Sequence, residues 1–383
     1  AIPDFVPTGG GAAPDISGGL SKRLGDNLDM TGMFINLDKR TFLGADAQSG
    51  SPDFKEWKAV GSELLVKGGF SLSGDQLVME LRLFDVFDGK MLLGKRYTGG
   101  RNDGRKIITR FTNEILKLLT GEAGNFGTQI IFVTGGPVGK AIMMVEFGSD
   151  EVVPVAGGGS GPSQMPAISP SGSIAYIHRN GKSWELRVGG QVISAGPLHL
   201  SPAFAPNGAL YAAISGKYDT NIFMFPGPGA KPVQVTNYPG INISPAFSPD
   251  GSQMAFVSDR SGSAQIYLAS VKGGEAKRVT MSGGRNMDPS WSPRGDRIIF
   301  CCNETEICSI NPDGTDLQKL SSGSYDSRPS WSPDGRMVVF SSSRSGKSQL
   351  YVMTANGDRQ QLLIPDYPGE QRDPFWSPAK SDN

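Results

Sequence analysis

The stretch RPSWSPDGRMVVFSS (residues 328–342) reads as two short strands joined by a tight turn, and near-copies of it recur through the C-terminal two thirds of the chain. Ser330-Trp331-Ser332 is a short extended segment with its aromatic directed between repeats. Pro333-Asp334-Gly335 is the turn, because Pro presets φ and Gly accepts a positive one. Met337–Ser341 is a buried apolar strand. Gln349–Thr354 follows, then an Asn356-Gly357 turn and Gln360–Ile364, which makes four strands per repeat. The copies are MPAISPSG (165–172), SPAFAPNG (201–208), SPAFSPDG (244–251), DPSWSPRG (288–295), RPSWSPDG (328–335) and DPFWSPAK (373–380). Their leading prolines are 36, 43, 44, 40 and 45 residues apart, the period of four-stranded propeller blades. The last copy supplies one strand before the chain stops. Gln129–Thr134, Lys140–Phe147 and Val152–Ala156 lie before the first copy in the order needed to complete that blade. The expectation is a six-bladed, all-β propeller over 125–383, its ring closed by strands from both ends of the propeller region, which removes free sheet edges.

Residues 1–124 have a different grammar and are expected to form a separate α+β domain. Asp15–Leu28 carries Ile16, Leu20, Leu24 and Leu28 on one helical face behind a capping Asp. Phe54–Leu65 repeats the pattern with Trp57, Val60, Leu64 and Leu65. Lys106–Leu119 does so with Ile107, Phe111 and Ile115, and Gly121 is its C-cap. Strands are expected at 64–71, 76–84 and 90–97, with Asp88-Gly89 as a hairpin turn, in a mixed or antiparallel sheet.

The bulk numbers exclude several classes. The 383 residues hold 37 basic and 37 acidic side chains, so nothing marks a nucleic-acid partner. No apolar stretch approaches the ~20 residues needed to cross a bilayer. The chain shows no charged n-region followed by an apolar h-region, so any signal peptide has been removed or never existed. The 52 glycines and 27 prolines suit many short strands joined by turns.

Motifs for chemistry fail on spacing. Gly135–Lys140 resembles a phosphate loop but has Thr134 where Gly is needed and Ala141 where Ser or Thr is needed. Ser345–Ser348 fails likewise at Ser341. No GxSxG elbow occurs. His178 and His199, the only histidines, are read as surface or loop residues rather than members of a triad or metal site. The Asp-Gly pairs lack calcium-loop spacing. No catalytic residue, metal or cofactor is expected, and no inward acidic position repeats. Cys301 and Cys308 flank a turn at Glu304-Thr305, so a Cys301–Cys308 bridge and three partly buried thiols both remain open readings.

What remains is surface. The loops entering each leading Pro open on one end of the channel, which places Gln164, Met165, His199, Leu200, Asn242, Ile243, Asn286, Met287, Asp326 and Arg372 at a mouth suited to docking a protein or peptide.

The Pro-x-Trp/Phe-Ser-Pro-Asp-Gly blades, together with Phe84–Tyr97 (FDVFDGKMLLGKRY), Lys117–Gly121 (KLLTG) and Ala1–Phe5 (AIPDF), resemble the TolB family of periplasmic propellers of the Tol–Pal system. The resemblance covers essentially the whole chain. It implies a monomeric, non-enzymatic adaptor whose propeller mouth binds the peptidoglycan-associated lipoprotein Pal and whose N-terminal tail contacts the inner-membrane protein TolA. Such an assembly supports outer-membrane integrity and cell division, and bacteriocins and phages exploit it. It also implies that Ala1–Phe5 is the first strand and that the TolA-contacting tail lies upstream of it. The competing expectation is a propeller-type hydrolase or glycan-binding protein acting in the central channel.

Overall fold

The computed structural model describes residues 1–9, 13, 15–42, 52–136, 139–157, 161–196, 198–272, 274–323 and 325–378. They divide into two units, Ala1–Gly127 and Thr128–Asn383.

In the first unit, β1 (Val6–Gly9) runs parallel to β2 (Leu64–Ser73). β2 pairs antiparallel with β3 (Gln76–Asp85), and β3 with β4 (Lys90–Gly100). α1 (Leu20–Met30) and α3 (Gly104–Thr120) cover one face. Leu24, Ile108, Phe111 and Ile115 pack there against Phe70 of β2 and against Leu77, Met79 and Leu81, the alternate side chains of β3 that period-2 patterning sends to one side. Gly121 closes α3 in the left-handed conformation.

Three local expectations needed correction. Asp15 does not cap α1, because a π-helical turn, Asp15–Gly19, precedes it and Gly19 holds the cap position. The helix expected over 54–65 is α2 (Phe54–Ala59), capped by Asp53; Leu64 and Leu65 instead open β2, which is hydrogen-bonded on both sides, so sheet pairing outweighs helical periodicity. The first strand is Val6–Gly9 rather than 1–5. Ala1 still ties to β2, its ammonium donating to Leu64 O at 2.6 Å and its carbonyl accepting from Val66 N at 3.0 Å.

The second unit is a β-propeller. Among the described residues it contains six four-stranded antiparallel sheets. Five are consecutive in sequence. The sixth pairs Gln371–Trp376 with Gln129–Gly136, Gly139–Glu146 and Val152–Gly157, the last strand beside the first three. Trp376 anchors that join: its Nε1 donates to Thr128 Oγ1 at 2.8 Å and its ring lies 4.9 Å from that of Phe147. Apolar clusters bridge neighbouring sheets, for example Ile177 with Ala212, Phe256 with Tyr211, and Phe340 with Ile299. Each turn reads as expected: Gly172, Gly208, Gly251, Gly295 and Gly335 all have φ between 68° and 85°. In the best copy Gly335 N donates to Ser332 O at 2.9 Å while Asp334 accepts from Ser332 Oγ at 2.8 Å. Pro137, Val138, Ala379 and Lys380 lie outside the described residues; Gly136 faces Gly139 across antiparallel strands, a hairpin rather than a phosphate loop.

The cysteine bridge joins Cys302 to Cys308, with Cα atoms 5.8 Å apart, and Cys301 is a buried free thiol. The loop holds three residues, so Cys302 pairs with Glu306 and Cys301 with Ile307. Cys302 and Cys308 are diagonal neighbours on one face, whereas Cys301 points to the other. Burial pushes the Cys301 thiol up to about 12. Thiol titration in denaturant is therefore expected to give one equivalent before reduction and three after; three before reduction would contradict the bridge.

Candidate docking mouth and channel

Each inner strand carries its leading Pro at the same place, and Pro has no N–H to give to the ladder. The pairing register shifts there in all six: between Gln164 and Ala167, Leu200 and Ala203, Ile243 and Ala246, Met287 and Ser290, Ser327 and Ser330, and Arg372 and Phe375. The residue immediately before each Pro is left-handed in consequence, with φ of 52° at Met165, 48° at Ser201, 53° at Ser244, 52° at Asp288, 54° at Arg328 and 49° at Asp373. Such bulges re-aim side chains. All six line a central cavity of about 590 Å³ whose walls are otherwise mainly Pro, with Ala, Ser, Phe and Trp.

The six residues form a connected belt. Ser201 N donates to Met165 Sδ at 3.3 Å, Ser201 Oγ lies 3.3 Å from Ser244 Oγ, and Ser244 Oγ donates to Asp288 Oδ1 at 3.4 Å. Arg328 then bridges two carboxylates, its Nη1 3.2 Å from Asp288 and its Nε 3.7 Å from Asp373. Burial lifts the Asp288 carboxyl above the usual range, and Arg328 opposes that. Burial works against the Arg328 charge, but Asp288 and Asp373 outweigh it. Two inward acidic residues were not anticipated from the sequence; both face the same guanidinium.

The bulge sorts the expected mouth residues into environments. His199, Asn242, Asn286 and Asp326, two positions before the channel residue, are buried, so burial removes them from any contact surface. Asn242 Nδ2 donates to Thr220 O, Asn221 Oδ1 and Tyr238 O, and Asn286 Nδ2 to Gln265 Oε1 and Ser282 O. Asp326 occupies the same position without an amide's N–H donors: Oδ2 accepts from Arg344 at 2.8 Å, and Oδ1 has no hydrogen-bond partner. Gln164, Met165, Leu200, Ile243 and Met287 are half-buried, and Arg372 is exposed beside Glu370 at 3.0 Å. Sequence reading stopped one residue short of the channel in five repeats, missing Ser201, Ser244, Asp288, Arg328 and Asp373. It also missed the rim. Tyr218, Met281 and Tyr325 are 85%, 68% and 72% exposed, and Ile241 is exposed as well. These lie on the hairpins and entry loops at the end where the inner strands begin, and only their apolar character in short loops could have flagged them.

Both histidines are buried on strands, contrary to the surface reading. Ser163 Oγ meets His178 Nδ1 at 3.0 Å, and Glu185 faces His178 across the ladder. This trio is not a triad, because Ser163 is wholly buried and Glu185 is bonded to Asn180 and Arg187. His199 Nε2 meets Ser194 Oγ at 3.0 Å. Among the described residues no group of three His, Cys, Asp or Glu side chains could hold a metal.

Two outcomes follow from the belt and the buried amides. Arg328→Met removes the only charge opposing Asp288 and Asp373 in the belt and is expected to cost about 2–4 kcal/mol at neutral pH. A carboxyl whose folded pKa lies above its unfolded value favours the fold most below that pKa. Calorimetry should therefore show the deficit shrinking from pH 7.5 to pH 5; an equal deficit at both contradicts the ion-pair account. Asn242→Asp turns a donor facing three acceptors into an acceptor and should cost about 1–3 kcal/mol. Asp326→Asn removes the buried charge paired with Arg344 and should likewise lower the melting temperature.

Comparison with known proteins accords with this geometry. The family model described as TolB beta propeller domain matches residues 116–380, and that described as TolB amino-terminal domain matches 1–92. A protein named TolB homolog from Chlorobium luteolum is 34% identical over 382 residues, covering 96% of this chain and 87% of the relative. A Tol-Pal system protein TolB from Syntrophus aciditrophicus is 37% identical over 195 residues, 48% of this chain and 42% of the relative, and one from Desulfosudis oleivorans is 36% identical over 233 residues, 57% and 53%. For these two the matched part spans about half of the relative's length. The crystal structure of TolB from Acinetobacter baumannii superimposes with a TM-score of 0.83 over 99% of this chain and 97% of that one, at 24% identity, a likeness of fold. With both domains matched and the Chlorobium relative aligned almost end to end, the chain belongs to the TolB family.

Proposed function

We propose that this chain is a non-enzymatic periplasmic adaptor of the Tol–Pal system, whose propeller mouth docks a peptidoglycan-associated lipoprotein. The observation that carries this is the rim: Tyr218, Ile241, Met281 and Tyr325 expose large apolar side chains at the end of the channel where every inner strand begins. Aromatic and Met side chains are the types that anchor protein interfaces. The six sheets are read as the blades of one closed ring, which gives that mouth a rigid frame. Contact with a TolA-like inner-membrane protein is assigned to the N-terminal tail, and support of outer-membrane integrity and cell division to the assembly. A buried disulfide suits an oxidising compartment. No helix among the described residues is long and apolar enough to cross a membrane.

The hydrolase or glycan-binding reading would use the channel carboxylates. Both are occupied by Arg328, which leaves neither as a free base or nucleophile and favours the adaptor.

Calorimetric titration with the soluble domain of a peptidoglycan-associated lipoprotein from the same organism tests the proposal. Binding is expected at about micromolar Kd or tighter, within the range of standard interfaces. Tyr325→Ala and Met281→Asp should each weaken it about tenfold or more, with charged substitutions at Leu200 and Ile243 acting in the same direction. Unchanged affinity in all four variants would remove the mouth as the docking surface.

A further inference from the structure

One hairpin at the mouth is built unlike two of its equivalents. In two other sheets the turn between the second and third strands contains an Arg and a Gly, Arg260 with Gly262 and Arg344 with Gly346. Each Arg reaches back to pin the turn: Arg260 Nε donates to Ser258 Oγ at 2.9 Å, and Arg344 Nε to Ser342 Oγ at 2.9 Å. Each guanidinium also stacks on aromatic rings of its own sheet, 4.4 Å from Tyr267 and 4.7 Å from Tyr351. The equivalent turn at 303–305 has neither residue. Cys302 stands where Ser258 and Ser342 stand, as its pairing with Glu306 shows against those of Ser258 with Gln265 and Ser342 with Gln349. The turn must also hold two successive non-Gly residues left-handed, Asn303 at φ 53° and Glu304 at 65°, a conformation that persists only where the surroundings enforce it. The Cys302–Cys308 bridge ties the two strands that flank this turn.

The tip in turn seats both neighbouring entry loops. Gly284 N donates to Asn303 Oδ1 at 2.7 Å, Arg285 pairs with Glu304 at 2.9 Å, and Asp326 N donates to Thr305 O at 3.0 Å. Those loops lead directly into Asp288 and Arg328. The bridge therefore stands in series with the rim and with the charged part of the channel belt.

We propose that the Cys302–Cys308 disulfide is a redox-sensitive clamp that replaces the missing Arg strut and holds the rim in its docking conformation. This rests on the reading of the mouth as the docking surface and adds its regulation. A protein dithiol is the reductant class required. Its thiolate attacks one bridge sulfur, the S–S bond breaks, and the displaced sulfur leaves as a thiolate that takes up a proton. The reductant's second thiol then resolves the mixed disulfide. Cys302 and Cys308 gain two electrons and two protons, and the reductant becomes a disulfide. Both sulfurs belong to buried residues, so attack requires the tip to open, and by linkage a partner seated on the tip must shift the bridge's reduction equilibrium toward the disulfide by the same factor that the bridge strengthens binding. Cys301 takes no part: it faces the other side of the strand, donates to Asp326 O at 3.2 Å, and burial keeps it a thiol.

The test compares oxidised protein, protein reduced by tris(2-carboxyethyl)phosphine, and the Cys302→Ser/Cys308→Ser variant. Each is titrated with the lipoprotein domain and followed by amide hydrogen exchange. Reduction and the double substitution should weaken binding about five- to tenfold and speed exchange at 284–288 and 326–328, while exchange at the turns near 249–251 and 333–335 stays unchanged. Equal affinity in all three forms, with bridge loss verified by mass, overturns the clamp. If the oxidised protein binds nothing, the docking reading fails instead, and exchange alone decides the clamp: unchanged rates at 284–288 and 326–328 on reduction overturn it. Acceleration across every sheet overturns it too, since it would make the bridge a general staple.

Discussion

A proline that cannot donate to its ladder sits at the same point of all six inner strands, and the geometry of the channel end where those strands begin follows from it. The missing N–H forces a bulge, and the bulge turns the preceding residue left-handed at a cost of about 1 kcal/mol or more for a residue with a Cβ. Three consecutive residues then take three different environments. Asn242 is buried among carbonyl oxygens, Ile243 is half-buried at the rim, and Ser244 reaches the channel. The belt from Met165 round to Asp373 offsets part of the cost, its strongest section being Arg328 between two carboxylates.

This explains which parts of the molecule could be read from the sequence. Turns governed by Pro and Gly were legible because their chemistry is local: Pro333 and Gly335 dictate their own backbone angles whatever surrounds them. The split sheet was legible because strands at 129–157 had no other partner for their order. The position of the site was not. Strand side chains alternate, so a one-residue bulge moves every assignment to the next environment; His199, Asn242, Asn286 and Asp326 were placed at the mouth and are buried, while Ser201, Asp288 and Arg328 were passed over. The cysteines show the same sensitivity: with three residues in the 303–305 loop, Cys302 and not Cys301 shares a face with Cys308. Helix α2 ended early because Leu64 and Leu65 pair with Asp85 and Phe84 in the sheet, which no local pattern reveals.

The distribution of charge separates the channel from the rim. Ionic groups inside the channel are engaged with one another, which is costly to disrupt and leaves little for a ligand. Exposed apolar groups gather at the entrance instead, where Tyr218 and Tyr325 offer large contact areas at low entropic cost. The surrounding hairpins are held by two chemically different devices, a stacked guanidinium at Arg260 and Arg344 and a disulfide at Cys302–Cys308. Only the second can be undone by electron transfer.

The most direct test of the account is the footprint of a bound lipoprotein domain, mapped by hydrogen exchange across the whole chain. The account predicts protection at 216–220, 238–243, 281–287 and 322–328, with the turns at 170–172, 206–208, 249–251, 293–295 and 333–335 unaffected at the opposite end of the channel. Protection confined to those turns, or to residues 1–127, would contradict it.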